Sequence, residues 1–485
     1  MISFILSIVL LLLGYFLYSK LIAKIFGVDA ARVTPAYTKQ DGIDYIPMKP
    51  WRIFLIQFLN IAGLGPIFGA IMGAQYGSAS FLWIVFGSIF AGAVHDYLAG
   101  MISLRNGGIS LPEIHGKYLG NGVKQFMRAF MVFLMILVGV VFVDGPAKLL
   151  ANLVPSINVY VWILIIIAYY LLATLMPIDK IIGKIYPLFG ICLLFMAFGI
   201  LVSMLINQPA LPEIWDGLDN KMPNPDATPI FPMMFISIAC GAISGFHATQ
   251  SPLMARCMTN EKQGRPIFYG AMIAEGIVAL IWAAAATYFF FDPDSGREAV
   301  DVSKGASVIV DFITKNWLGT AGALLAIMGV IFAPITSGDT ALRSARLIIA
   351  DFLNYDQKPI RKRLIISIPI FLATAGILIW EIGDAQGFDI IWRYFAWANQ
   401  VLSVFTLWAI TIYLAEKQKP YIITLIPALF MTMVCSTFIL IAQKEGFGLP
   451  HITAYTIGGV ITLATAIGFF VWKTRHKNTF NNDNE

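Results

Sequence analysis

The groups best able to do chemistry are polar side chains set inside apolar runs. The densest cluster is CGAISGFHATQSP, Cys240 to Pro252, which ends an apolar stretch beginning near Ile230. Its imidazole, His247, has an ordinary pKa near 6.5 and can exchange protons near neutrality. Ser244, Thr249 and Gln250 can hydrogen-bond a ligand, and Gly241 and Gly245 let the backbone leave a helix. The expectation is a broken helix, with Pro252 opening a new half-helix where no N–H is needed. The plain alternative is a kinked helix holding a satisfied histidine.

A second interruption lies in FLIQFLNIAGLGPIFGAIMGAQYG. Pro66 removes a backbone donor, and Ala62-Gly63-Leu64-Gly65 has little helical preference. The half-helix from Pro66 turns its positive end to mid-span, which suits a carboxylate. The two breaks together define the candidate binding residues: Asn60, Gly63, Leu64, Gly65, Ser244, Gly245, His247, Thr249 and Gln250. His247→Ala is expected to weaken ligand binding while leaving the protein folded.

His95-Asp96 and Glu275 are the other strong candidates, for proton coupling or gating, because ionisable groups inside a membrane are costly. The alternative for each is a structural pair with a neighbouring helix. Asp339 and Arg343, four apart, read as a pair at the cytoplasmic face. Gly65, Gly69, Gly73 and Gly77 form a small-residue stripe for close helix contact. The four cysteines, Cys192, Cys240, Cys257 and Cys435, lack metal or redox spacing and read as packed side chains. No hydrolase, zinc or phosphate-loop motif is present, so the chain does not read as an enzyme.

The elements that must position these groups follow from composition. The chain is 58% apolar and 13% charged, with a mean hydropathy of +0.76. Soluble domains carry about 25% charged residues, so this is an all-α polytopic membrane protein. The first segment lacks a basic start and a small-residue cleavage site, and is expected to stay as a membrane helix. Thirteen spans are expected: 2–18, 53–76, 79–104, 126–143, 159–176, 185–206, 229–258, 267–291, 317–338, 364–381, 390–414, 421–442 and 452–472. With the C-terminus inside, 26 of the 33 Lys and Arg fall on cytoplasmic segments. The rest are Lys148, Lys221, Arg297, Lys304, Lys315, Arg393 and Lys444, a positive-inside distribution with the N-terminus outside.

Five spans run from the first break to residue 206, and five from the second break to residue 414. An odd number inverts the second set, which is the layout of an inverted-repeat transporter with its site between broken helices. The expected divisions are 1–50 (first helix and cytoplasmic linker), 51–206 (first repeat), 207–228 (external loop), 229–414 (inverted second repeat) and 415–485 (two further helices and tail).

NIAGLGPIFGAIMGAQYG, FAGAVHDYLAGMISLRNGGISLPEI, GAISGFHATQSPLMARC and APITSGDTALRSARLIIAD resemble the carbon starvation protein A family of bacterial inner-membrane transporters. The resemblance covers about Trp51 to Asp351. It implies uptake of peptides or pyruvate under starvation, and the leucine-transporter-like fold of the amino acid–polyamine–organocation superfamily. In sodium-coupled members of that fold, hydroxyls on the third helix of the second repeat join carbonyls of the first broken helix. Thr336 and Ser337, read as ending that helix, match this pattern and make Na⁺, with the Ala62-Gly63 backbone, the one candidate bound ion; no other cofactor is expected.

The function expected is secondary active import of a small carboxylate or short peptide, coupled to H⁺ or Na⁺, across the bacterial cytoplasmic membrane. Its partners are that small molecule and membrane lipid, with no nucleic acid; the sequence leaves the oligomeric state open. The alternative is a non-transporting nutrient sensor, disfavoured because no cytoplasmic output domain is evident.

Overall fold

Apolar side chains can face lipid, but backbone N–H and C=O groups must be satisfied within the chain, and helices do this segment by segment. The computed structural model describes all residues except 43, 176, 177, 301–304, 356, 358, 385, 386 and 483–485. The side chains of 175–188, 299, 321, 325 and 477–482 also lie outside the description. The charge-count residues Lys180, Lys184, Lys304, Lys358 and Lys477 are therefore not described. Among the described residues the structure is helical, with no strand.

Among the described residues ten helices are long and apolar enough to cross a membrane: Ile2–Phe26, Ala79–Arg105, Asn121–Leu153, Phe189–Asn207, Glu261–Phe291, Gly322–Leu353, Ile360–Gly383, Gly387–Glu416, Ile422–Ile441 and His451–His476. A further pair, Pro50–Ile61 and Gly65–Ala74, passes the same test together but bends by 54° at its break. Val159–Thr174 is apolar but shorter.

Burial distinguishes scaffold from rim. Ala79–Arg105 and Glu261–Phe291 are both 83% buried over their apolar windows, whereas His451–His476 is 17% buried. The first two must therefore pack against protein on nearly every face, and they carry Asp96 and Glu275. The last exposes Ile452, Val460 and Leu463 to the surroundings, as a lipid-facing helix should. The most extensive helix contact joins Asn121–Leu153 to Ala306–Leu353.

Two expectations about helix ends are corrected. The second broken element runs Ile230–Met234 and Phe235–Ser237, loses helical form, and resumes as Gly245–Ala255. Pro252 lies inside that helix; the new helix begins at Gly245, capped by Ser244 in extended conformation. Pro252 lies beyond the first turn, where it removes a backbone donor, and is held in the helix by packing, every residue of Gly245–Ala255 being buried. Likewise, Thr336 and Ser337 do not end their helix. It spans Ala306–Leu353, with one non-helical residue at Gly319 and Pro334 inside. Their hydroxyls bond backward to the Ala333 carbonyl, at 2.7 and 3.0 Å, which absorbs polar groups at mid-helix. Asp339 and Arg343 do pair, at 4.0 Å; both are buried within the protein, and Arg343 donates to the Ala173 carbonyl at 2.6 Å.

The connecting segments sort to two ends. At one end, Glu213 accepts from the Met1 amino group at 2.6 Å and from the N–H groups of Ile2 and Ser3 at 2.9 and 2.7 Å. Burial alone would raise the Glu213 carboxyl, but these donors outweigh it and hold the group down at about 2. At the other end, Glu261 is fully buried and takes a two-pronged contact from Arg105, 3.0 and 2.9 Å, and the N–H of Asp29 at 2.8 Å. Arg105 also donates to Gly27 O and stacks over Phe26, and Lys419 reaches the Phe26 carbonyl. The first helix is thereby tied to the bundle at both ends.

Candidate functional site

The first break is built from small residues. After Ile61 the chain leaves helical form at Ala62, and Gly65 opens the second half with Pro66 in its first turn. The close approach that glycine permits is used at once. A Cβ on Gly65 would fall on the Cys240 side chain, one on Gly69 would lie 2.9 Å from Ser237 O, and one on Gly73 would strike Ile238. The glycine stripe therefore packs onto the unwound part of the second break, and the two interruptions meet directly. Gly77 departs from the stripe and occupies a left-handed turn.

The second break is held by three helices. Ser88 donates to Gly241 O at 3.0 Å from Ala79–Arg105, and Ala279 of the Glu261–Phe291 helix closes on Gly241. From Gly387–Glu416, Asn399 Oδ1 accepts from Ser244 Oγ at 3.0 Å and from Phe246 N–H at 2.7 Å. Gln400 Nε2 donates to Ile243 O at 3.0 Å. Asn399 thus caps the Gly245–Ala255 helix from another element, serving one of the free N–H groups every helix start leaves. A Cβ on Gly245 would lie 2.5 Å from Asn399 O and Ser403 N, so this glycine is what lets the two helices meet.

This scaffold sets His247 in the first turn of the half-helix, not in the unwound stretch. Its Nδ1 lies 2.9 Å from Asp96 Oδ2. Its Nε2 lies 3.3 Å from Glu275 Oε2, close enough for an ion pair but without hydrogen-bond alignment. Asp96 Oδ1 meets His95 Nδ1 at 2.8 Å. All four side chains are fully buried. A buried carboxylate costs several kcal/mol unless paired, and here one imidazole is shared by two carboxylates from two helices. The positive end of the Gly245–Ala255 helix adds to that compensation. The result is a run of close contacts, Glu275–His247–Asp96–His95, hydrogen-bonded from His247 through Asp96 to His95 and reaching Glu275 only by the unaligned 3.3 Å ion-pair approach.

The remaining expected residues divide. Asn60 is fully buried and neither amide atom has a partner; Gln250 Oε1, Gln400 Oε1 and His95 Nε2 are likewise orphaned. Such atoms are normally satisfied by water or a bound molecule. Thr249 instead spends its hydroxyl on Phe246 O and accepts from Gln250. Ser337 Oγ donates to Leu59 O at 3.0 Å and would lie 3.3 Å from a Cβ on Gly63, so it does reach the first break. Leu64 is buried core against Gly145.

Sequence reasoning missed Asn399 and Gln400, although Asn-Gln inside the apolar run FAWANQVLSVF is a visible signal. It read Cys240 as packing only, yet its sulfur accepts from Asn399 Nδ2 at 3.3 Å and neighbours His247. It also passed over a second buried ionic group, in which Lys148 Nζ lies 2.6 Å from Asp144 Oδ2 and 3.2 Å from Glu381 Oε1.

A multi-pass helical protein with two interrupted helices in contact, and a buried ionisable cluster joining one of them to two continuous helices, has the build of a membrane transporter. The chain belongs to the carbon starvation protein CstA family, whose model matches residues 1–211, 150–309 and 294–438. It is 26% identical to the peptide transporter CstA of Campylobacter jejuni, over 94% of this chain and 80% of that one. It is 25% identical to the pyruvate/proton symporter BtsT of Escherichia coli, over 91% and 82%. An uncharacterized membrane protein of Haemophilus influenzae is 43% identical over 64% of this chain and 96% of its own. Among solved structures, the manganese transporter of Eremococcus coleocola shares the fold, with a TM-score of 0.56, 13% identity, and coverage of 91% and 99%. Its cargo does not follow from that likeness. Among the described residues no group of three or more His, Cys, Asp or Glu is arranged to hold a metal.

Proposed function

We propose that this protein is a proton-coupled importer of a small carboxylate or short peptide, with Asp96, His247 and Glu275 carrying the coupling proton. The observation that carries the reading is the shared imidazole: His247, in the first turn after the second break, sits 2.9 Å from one buried carboxylate and 3.3 Å from another. Substrate binds at the breaks, through Asn60, the Gly63-Leu64-Gly65 backbone, Ser244, Gly245, Gln250 and His247, with Thr249 shaping the helix turn. Import is across the bacterial cytoplasmic membrane, with the N-terminus outside and the C-terminus inside. The likeness to a named pyruvate/proton symporter supports protons, and the named peptide transporters keep peptides in view.

The architecture proposed is thirteen crossings. It takes the bent pair, the short Val159–Thr174 helix and the interrupted Ile230–Ala255 element each as one crossing beside the ten long helices. Residues 51–206 and 229–414 form inverted repeats, flanked by 1–50 and 415–485 and joined through 207–228. The direct contact of Gly65 with Cys240 supports pairing of the two breaks. A sodium-coupled reading has one observation in its favour, the placement of Ser337 against Leu59 O and Gly63, with Thr336 beside it.

The test is uptake of labelled pyruvate and of labelled dipeptides into proteoliposomes, with proton and sodium gradients imposed separately. Accumulation that follows the proton gradient, and is lost in Glu275→Gln, supports the reading. Accumulation driven by sodium alone moves the coupling to Thr336 and Ser337. Specific binding without accumulation favours a sensor.

A further inference from the structure

A cavity lies away from the buried ionisable cluster, at the end of the bundle that holds Glu213. It has a volume of about 610 Å³ and is lined by Ile71 and Gln75 of the first broken element and by Ile236 and Ser237 of the second. Four cations also line it, Lys221, Arg297, Arg393 and Lys444, against two carboxylates, Asp389 and Glu445. Glu445 is already committed to Arg393 at 2.9 Å, and Lys221 has the exposed Asp219 carboxylate 4.0 Å away. The concentration is unexpected for this protein. Only seven basic residues fall outside the cytoplasmic segments, and four of those seven converge on this one mouth. Arg297 is exposed, and the side chains of Lys221 and Arg393 are 50% and 43% accessible, so their fields reach into the opening.

We infer that this vestibule is an anion-collecting site that gathers carboxylate-bearing solutes above the two helix breaks. A concave, low-dielectric mouth in which one sign of charge is in excess, as four cations exceed two carboxylates here, focuses its field and raises the local concentration of the opposite sign, by about 10- to 1,000-fold in strong cases. Arg393 and Asp389 sit on the helix that also carries Asn399 and Gln400, so the mouth and the second break share one rigid element. The aromatic wall, including Tyr76, Phe388 and Trp392, supplies apolar contact for the rest of the solute. The inference rests on the proposed orientation only in calling the mouth external; its charge does not depend on transport.

The test therefore reads potential directly. Ala227→Cys places a thiol in the lining, and its reaction rates with an anionic and a cationic methanethiosulfonate are compared in the purified full-length protein, each normalised to a free thiol. At low salt the anionic reagent is expected to be favoured about tenfold. That preference should collapse in Lys221→Gln/Arg297→Gln and at high ionic strength, where exposed charges are screened. Both substituted side chains are largely exposed, and neither belongs to the buried ionisable cluster. A ratio equal to that of the free thiol, or one unmoved by the double change, overturns the inference. In proteoliposomes the same double variant should raise the KM for labelled pyruvate at low salt without lowering kcat. If the wild type carries neither pyruvate nor a dipeptide, the transport reading fails while the thiol ratio still decides this one.

Discussion

His247→Ala is the most informative single change, because His247 serves two carboxylates at once. Removing the imidazole leaves Asp96 with His95 alone and Glu275 with no partner within the described contacts. Breaking a buried ion pair on one side costs about 3–5 kcal/mol, because the remaining charge stays buried and uncompensated. The loss should therefore appear in folding as well as in transport, contrary to the expectation from sequence that a cavity histidine can be removed without structural effect. The physical reason is its complete burial between charged groups. Neutralising the stranded carboxylate should restore part of the loss: His247→Ala/Glu275→Gln should be more stable than His247→Ala. The interaction energy across the cycle should be about 1–3 kcal/mol, as for residues in one ionic network. The assay is the unfolding midpoint of purified wild type, both single variants and the double variant in one detergent, beside proton-driven uptake for each. The reasoning is refuted if the two changes are additive, or if His247→Ala unfolds with the wild-type midpoint.

Three further outcomes follow from the same geometry. Gly65→Ala should destabilise by about 1–3 kcal/mol through overpacking on Cys240, and Cys240→Gly added to it should recover most of that in the same unfolding assay. Thr336→Ala/Ser337→Ala should leave proton-driven uptake in place, whereas its loss alongside a sodium-dependent wild type would transfer coupling to that helix. Because the Glu213 carboxyl is held below its ordinary range, its contribution to anchoring residues 1–3 is fully present above about pH 4.5 and fades as pH falls toward about 2. Hydrogen exchange at Ile2 and Ser3 should thus gain protection from Glu213 at pH 6 but lose that difference, relative to Glu213→Gln, near pH 2.

What was legible in the sequence was whatever a span cannot hide. A glycine pair ahead of Pro66 and two glycines around Ser244 each mark a place where helix cannot continue, and both breaks are present. Asp96, His247 and Glu275 stood out because hydrocarbon makes every charge conspicuous. Their mutual contact did not, since it joins residues 151 apart in the chain through the packing of separate helices. The mistaken helix ends have a related cause. Pro252 and the Thr336-Ser337 pair are poor helix residues by propensity, but tertiary packing overrides propensity where a helix is walled in, and hydroxyls can bond back to their own turn. Asn399 and Gln400 were overlooked because two amides carry no charge and resemble ordinary helix residues. Only the fold reveals that they replace the hydrogen bonds the second break gives up. The cost of interrupting a helix in a membrane is thus met by a third helix, and that helix runs on to the cation-lined mouth. Asn399 and Gln400 at the second break and Arg393 at the mouth therefore belong to one helix, so the polar supports of the break and the charged rim of the cavity are fixed relative to one another.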